Sequence, residues 1–179
     1  RGPLPATVGL MFIGIIWRPT PDRHYAFQRV NEFWNKYAAP RYFDSGGNHF
    51  QRAASRNLTV RMAEKAGAEK LVVADADCIP EPDALQQAWD QVDDTAIHLP
   101  YTTCITHNAD GDPIAEIPFT CGGIYITTVK AWWSIGGQDE RFVKWAPEDM
   151  AFSLAHETIL GRPLVKHPGR LLSLGHQAD

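Results

Sequence analysis

The fold is decided by the stretch Leu71-Val72-Val73-Ala74-Asp75-Ala76-Asp77. Four consecutive apolar residues make a short run of the kind found in parallel sheets covered on both faces. The run ends in two acids at i and i+2, positions that point to the same face of a strand. Two carboxylates side by side repel and lack apolar partners. A divalent cation relieves that repulsion, and the carboxyl ends of strands in open α/β sheets are where ligands bind. The alternative is a pair of solvated acids in a loop.

Strand and helix signals alternate around this stretch. Residues 8–17 are apolar and bounded by prolines, which predicts a buried strand. Thr20-Pro21-Asp22 predicts a helix start with a capping hydroxyl, and Phe27, Val30, Trp34 and Tyr37 give that helix one apolar face up to Pro40. A short strand is expected over 41–44. A helix follows over about 51–66, closed by Gly67, with Leu58, Met62 and Ala66 among its apolar positions. Another short helix is expected over 82–90.

Beyond Ala96 the pattern becomes mixed. Strands are expected over 96–101 and 113–117, with the turn-rich Asn108-Ala109-Asp110-Gly111-Asp112 between them. Gly122-Gly123 precedes a strand over 124–127 and a short helix through Trp132-Trp133. Pro147 opens a helix to about Gly161, and short strands close the chain near 164–165 and 171–174. The first half reads as doubly wound and the second as mixed.

The 179 residues allow one domain that buries roughly 70% of the surface of the unfolded chain. With 44% hydrophobic and 21% charged residues, the chain is not a disordered one. Its net charge of -4 excludes a global basic field for nucleic acid or an anionic membrane. No apolar stretch approaches the roughly 20 residues of a membrane span. Three cysteines without CxxC spacing fit a reducing, cytoplasmic setting better than a disulfide framework. The chain begins at Arg1 rather than Met, so a preceding piece is expected to have been trimmed or removed, and any targeting signal there cannot be read.

Three further features carry chemistry. Glu148-Asp149 follow Pro147, where acids favour a helix dipole. They also follow Trp145 and a glycine- and aromatic-rich stretch that includes Gly122-Gly123, Trp132-Trp133 and Gly136-Gly137. Glycines admit close backbone approach to a ligand, and aromatic faces suit sugar rings. Arg52 and Arg56, followed by Asn57, lie four apart on one helical face, where like charges cost stability. A diphosphate would relieve them, as would simple solvation. Arg18 is similarly placed to meet an anion, and His176 follows the last short strand.

In this order the motifs resemble a GT-A glycosyltransferase of the family 2 type, with a second half similar to the C-terminal module of β-1,4-galactosyltransferases. Arg52-Ala53-Ala54-Ser55-Arg56-Asn57-Leu58 resembles the ARN-type helix segment, and residues 71–77 resemble the strand ending in DxD. Cys121-Gly122-Gly123-Ile124 with Trp145-Ala146-Pro147-Glu148-Asp149 resembles the GG…WGxED pattern. Leu172-Ser173-Leu174-Gly175-His176 is similar to the tail that supplies a metal-binding histidine.

The resemblance implies an α/β GT-A fold, a Rossmann-like unit with a mixed, mainly parallel central sheet flanked by helices. It implies one domain, with a donor half over about 8–95 and an acceptor half over about 96–179. It also implies a metal-dependent inverting transferase that uses a nucleotide diphosphate sugar, UDP-sugar foremost, and an acceptor hydroxyl on a sugar, a protein or a modified DNA base. Mn²⁺ is the implied ion, with Mg²⁺ as the alternative. Asp77 would be its direct ligand, Asp75 would contact ribose or a metal-bound water, and His176 would complete the shell. Arg18, Asp44, Arg52, Arg56 and Asn57 would face the nucleotide. Gly122 and Gly123 would approach the donor sugar, and Trp145 would stack on a sugar. Asp149 would be the general base, with Glu148 binding donor or acceptor.

Three departures stand out. Ala146-Pro147 replace the glycines before the acidic pair, and the tail lacks the family's methionine ligand. The chain is also short for the fold, which suggests trimmed loops and a small acceptor site. Two other readings compete. A haloacid-dehalogenase-type phosphatase also ends a strand in DxD, but near the start of its fold. A non-catalytic sugar- or nucleotide-binding module would have no need of the acids. A DNA acceptor would need a local basic groove, for which Arg41, Arg52, Arg56 and Arg61 are available.

Overall fold

The computed structural model describes residues 11–108, 110–118, 120–143 and 147–175. Strand β1 (Phe12–Ile16) is followed by a 3-10 turn over Pro21–Arg23, helix α1 (His24–Trp34), β2 (Arg41–Phe43) and α2 (Arg52–Lys65). Then come β3 (Lys70–Asp75), β4 (Cys78–Pro80), α3 (Pro82–Gln91), β5 (His98–Leu99), β6 (Thr103–His107) and β7 (Pro113–Pro118). The rest is β8 (Ile124–Thr128), α4 (Val129–Ser134), α5 (Glu148–Leu160), β9 (Val165–Lys166) and β10 (Arg170–Ser173).

The main sheet has the order β2-β1-β3-β8-β5-β9. β1 pairs parallel with β2 and β3, β8 runs antiparallel to β3 and β5, and β5 pairs parallel with β9. The sheet is thus mixed and mainly parallel. β1 and β8 are buried throughout, as is 71–74 of β3, which explains their unbroken apolar character. Gly14 lets α2 lie against β1, since a Cβ there would stand 2.1 Å from the Thr59 methyl.

Several expectations change. The first strand starts at Phe12; residues 8–10 lie outside the described residues. The Thr20 hydroxyl caps nothing. A 3-10 turn precedes α1, which ends at Trp34 rather than near Pro40, where tight turn bonds from Lys36 to Phe33 and from Tyr37 to Trp34 take over. The apolar face expected on α2 points outward: Met62 and Ala66 are exposed and Leu58 is only partly covered. The buried face carries Ala53, Arg56, Asn57, Val60 and Ala63, so hydrophobic patterning alone misplaces it.

The largest omission is a second sheet, β4-β10-β6-β7. Only His98 and Leu99 of the expected strand 96–101 pair in the main sheet, and β6 takes over at Thr103. Asn108 does close the β6–β7 turn as expected, accepting from the amides of Asp110 and Asp112. β10 lies between β4 and β6, which carries the chain end to the carboxyl end of β3. There Leu174 donates its amide to the Asp77 carbonyl at 2.8 Å.

At the other edge, His98 and His167 bury their rings against each other, Nδ1 to Nε2 2.9 Å apart. Burial pushes His98 down to about 4, and the His167, Arg162 and His156 charges add to this while Asp93 opposes it. Burial also lowers His167 and His156. Between the unfolded value of 6.5 and about 4, the unfolded chain therefore binds more protons than the folded one. Stability should fall as pH drops through that window, measured as a declining melting temperature, and the slope should shrink in His98→Gln.

Candidate functional site

Arg56 is the hinge of the site. It projects from the middle of α2, and its side chain is 0% exposed. Its guanidinium meets both oxygens of Asp75 at 2.8 Å and Asp149 Oδ1 at 2.6 Å. It also lies 3.5 Å from Glu148 and donates to Gln138 at 3.1 Å. Burial works against its charge, but Asp149 and Asp75 more than offset this and hold it more firmly charged than usual. Arg56 is therefore not a solvated basic residue. The repulsion expected between Arg52 and Arg56 is relieved by carboxylates of the same chain.

The acids are delivered by two different elements. Asp75 ends β3, with its amide bonded to the Gly123 carbonyl at 2.8 Å. Burial raises the Asp75 carboxyl to about 6; Arg56 pulls it down, and Asp77 and Asp149 push it up. Glu148 and Asp149 open α5 behind Pro147. Glu148 is buried and pairs with Arg52 at 2.8 and 3.0 Å. The Tyr125 hydroxyl lies against Asp149 Oδ1, 2.9 Å from the Cys121 carbonyl and 3.3 Å from the Gln138 amide. Burial, reinforced by Asp149, raises Tyr125 well above the usual phenol range, so it remains a donor.

Gly122 and Gly123 line the same floor. A Cβ on Gly122 would stand 2.3 Å from Asp149 Oδ2. Gly123 has a φ of 85°, in the left-handed region, and a Cβ there would stand 2.9 Å from Leu171 and 3.0 Å from Cys78 Sγ. The Tyr101 hydroxyl holds the Gly122 carbonyl. Asp75, Asp77 and Cys78 each offer one ligand atom, all within 4.8 Å of one another. That donor set suits a divalent cation of intermediate softness.

The other predicted residues divide. Arg18 and Asp44 form a two-pronged ion pair at 2.6 and 2.8 Å across the carboxyl ends of β1 and β2. The Arg18 hydrogen bond holds the Asp44 carboxyl below the usual range. Asn57 does not face the acids. Its amide donates to the Gln138 carbonyl and Glu140, and its oxygen accepts from Trp132 and the Gln138 amide. Those four bonds fill its capacity and tie α2 to the loop after α4. Trp145 and His176 lie outside the described residues. Sequence reasoning missed Tyr101, Tyr125, Gln138 and Cys78. A tyrosine two residues past the glycine pair and a cysteine directly after the second Asp were the available signals. A separate cavity of about 480 Å³, lined by Asn57, Arg61, Trp133, Asp139 and Phe152 among others, does not include Asp75, Asp77 or Asp149 in its wall.

No protein-family model matches the chain, and no curated protein matches it. Solved structures do. The catalytic domain of Drosophila β1,4-galactosyltransferase 7 in complex with xylobiose superposes with a TM-score of 0.60 at 15% identity, over 89% of this chain and 66% of that one. A mutant of that enzyme in complex with manganese, UDP-Gal and xylobiose gives 0.63 at 13% identity, over 94% and 71%. GalNAc-T7 with UDP, GalNAc and Mn²⁺ gives 0.60 at 14% identity, over 93% of this chain and 38% of that one. The chain has the GT-A fold of these glycosyltransferases. That fold displaces the phosphatase reading.

Arg56→Met should leave the Asp75 and Asp149 carboxylates without their shared counter-ion in a poorly solvated setting. The expected loss is about 3–5 kcal/mol in urea unfolding; a loss under about 1 kcal/mol would show that the guanidinium does not tie the site together.

Proposed function

We propose that this GT-A chain is a metal-dependent glycosyltransferase that moves a sugar from a nucleotide diphosphate sugar, UDP-sugar foremost, to an acceptor hydroxyl with inversion. The observation that carries this is charge. Among the described residues, the carboxylates of Asp75, Asp77, Glu148 and Asp149 outnumber the guanidiniums of Arg52 and Arg56 by two. That excess lies at the carboxyl end of β3, where open α/β sheets bind ligands. One divalent cation matches it. The fold neighbours in complex with manganese support Mn²⁺, with Mg²⁺ as the alternative.

Asp77 shares one group of possible ligand atoms with Asp75 and Cys78, which supports it as the direct metal ligand, with Asp75, held by Arg56, toward the ribose or a metal-bound water. Leu174, two residues ahead of His176, is bonded to the Asp77 carbonyl, which supports His176 as a further ligand. A bound cation would supply positive charge against the leaving diphosphate. Arg18 and Asp44, at the ends of β1 and β2, are proposed to meet the nucleotide, together with Arg52. The open floor at Gly122 and Gly123 is proposed to face the donor sugar, and Trp145 to stack on a sugar.

Asp149 is proposed as the general base. Its Oδ1 is held by Arg56 and Tyr125, and its Oδ2 turns toward Gly122. The acceptor hydroxyl would give its proton to Oδ2 as its oxygen attacks the anomeric carbon and the bond to the diphosphate breaks. Glu148, locked by Arg52, would set the orientation of Asp149 and contact a sugar.

The acceptor is proposed to be a sugar or a protein hydroxyl rather than a DNA base. Arg52, Arg56 and Arg61 are each paired with a carboxylate, so the basic groove a duplex needs has only Arg41 left of its four members. No helix among the described residues is long and apolar enough to cross a membrane. The unbridged cysteines support a reducing, cytoplasmic setting. The division into a donor half over about 8–95 and an acceptor half over about 96–179 is part of the same proposal; both halves contribute strands to one sheet.

The test is a screen of nucleotide sugars with Mn²⁺, reading release of the nucleoside diphosphate. Asp77→Asn should abolish metal-dependent donor binding. Asp149→Asn should retain donor binding and lose transfer by about 100-fold or more. Absence of both donor binding and release across UDP-, GDP- and TDP-sugars would end the proposal, and binding without transfer to any acceptor would leave a binding module.

A further inference from the structure

Cys78 directly follows the second acid of the DxD pair and is buried at the edge of the core with its sulfur beside the acids. Its Sγ donates to Asp77 Oδ1 at 3.3 Å. It also lies with the Asp75 and Asp77 oxygens in one group of possible ligands within 4.8 Å. Two features hold it there. β4 pairs antiparallel with β10, placing Cys78 opposite Ser173. Gly123 leaves the flank of the sulfur open, since a Cβ there would come within 3.0 Å of Sγ. Cys104, opposite Leu171 on β6, is buried but stands outside the group, and neither cysteine is bridged.

We propose that Cys78 sets the metal preference of this site. It adds a soft sulfur donor beside Asp77, so that the site favours softer ions such as Co²⁺ over hard Mg²⁺. This rests on the metal-dependent reading above and deepens it. Mg²⁺ requires a near-ideal set of oxygen ligands and takes thiolate poorly, whereas thiolate retains softer ions. Cys78 would hold such an ion as a thiolate: its S–H proton would pass to solvent, and the former S–H bonding pair would become the pair donated to the cation.

The test uses Co²⁺ as probe, titrated into the protein in the presence of UDP and followed by absorption. A cobalt–thiolate charge-transfer band in the near ultraviolet is expected in the wild-type protein and in Cys104→Ser. It should be absent in Cys78→Ser and Cys78→Ala, checked for native melting. Co²⁺ affinity should fall about 10-fold or more in Cys78→Ser, while Mg²⁺ affinity should change by less than about 2-fold. A wild-type protein that saturates with Co²⁺ without the band overturns the proposal, and so does a band that survives in Cys78→Ser. Mn²⁺-dependent UDP-sugar binding, measured in parallel, separates the two levels. Donor binding without the band removes only the role of Cys78. Loss of both donor binding and Co²⁺ binding removes the metal-dependent reading as well.

Discussion

One buried guanidinium holds the site together. Arg56 reaches from α2 to Asp75 at the end of β3 and to Glu148 and Asp149 at the start of α5. Without it, Asp75 and Asp149 would share a poorly solvated space with no common counter-ion between them. A buried ion pair adds little net stability when complete and costs much when broken. Its value here is positional: the distance between the DxD end of β3 and the acid pair of α5 is set by a single planar group with fixed hydrogen-bonding directions.

The rest of the site follows from that constraint. With Asp149 Oδ1 taken by Arg56 and Tyr125, Oδ2 is left against Gly122, a position that tolerates no side chain. The second sheet supplies the remaining restraint, since β10 lies between β4 and β6 and its end is bonded to the Asp77 backbone. The site thus forms where two sheets meet, and no one element holds enough of it to define it alone.

Asn57 illustrates how far local reading carries. Next to Arg56 on an ARN-type segment, it reads as part of a binding face. A rotation of about 100° along the helix turns it instead toward Gln138 and Trp132, where it clamps a loop. The face of α2 was misjudged for the same reason. Burial of Arg56 and Asn57 is made favourable by partners 19 to 93 residues away, and a hydrophobic pattern carries no trace of them. β4 and β6 were missed because such three- to five-residue strands pair with β10, a segment far along the chain.

By itself the sequence determined the α/β alternation, the β3 run ending in Asp75 and Asp77, the glycine pair before β8, and the acid pair opening α5. Each of these is a local signal, written in apolar runs, turn residues and helix starts, and needs no knowledge of what lies opposite. Only the tertiary structure decided that Arg56 is buried rather than solvated, that Asn57 clamps a loop, that Tyr125 and Cys78 stand beside the acids, and that a second sheet carries the chain end to the Asp77 backbone. Those outcomes depend on which charges and backbone groups come within about 3 Å of each other, the range over which a hydrogen bond or ion pair can outweigh the cost of burial. Spacing along the chain does not contain that information.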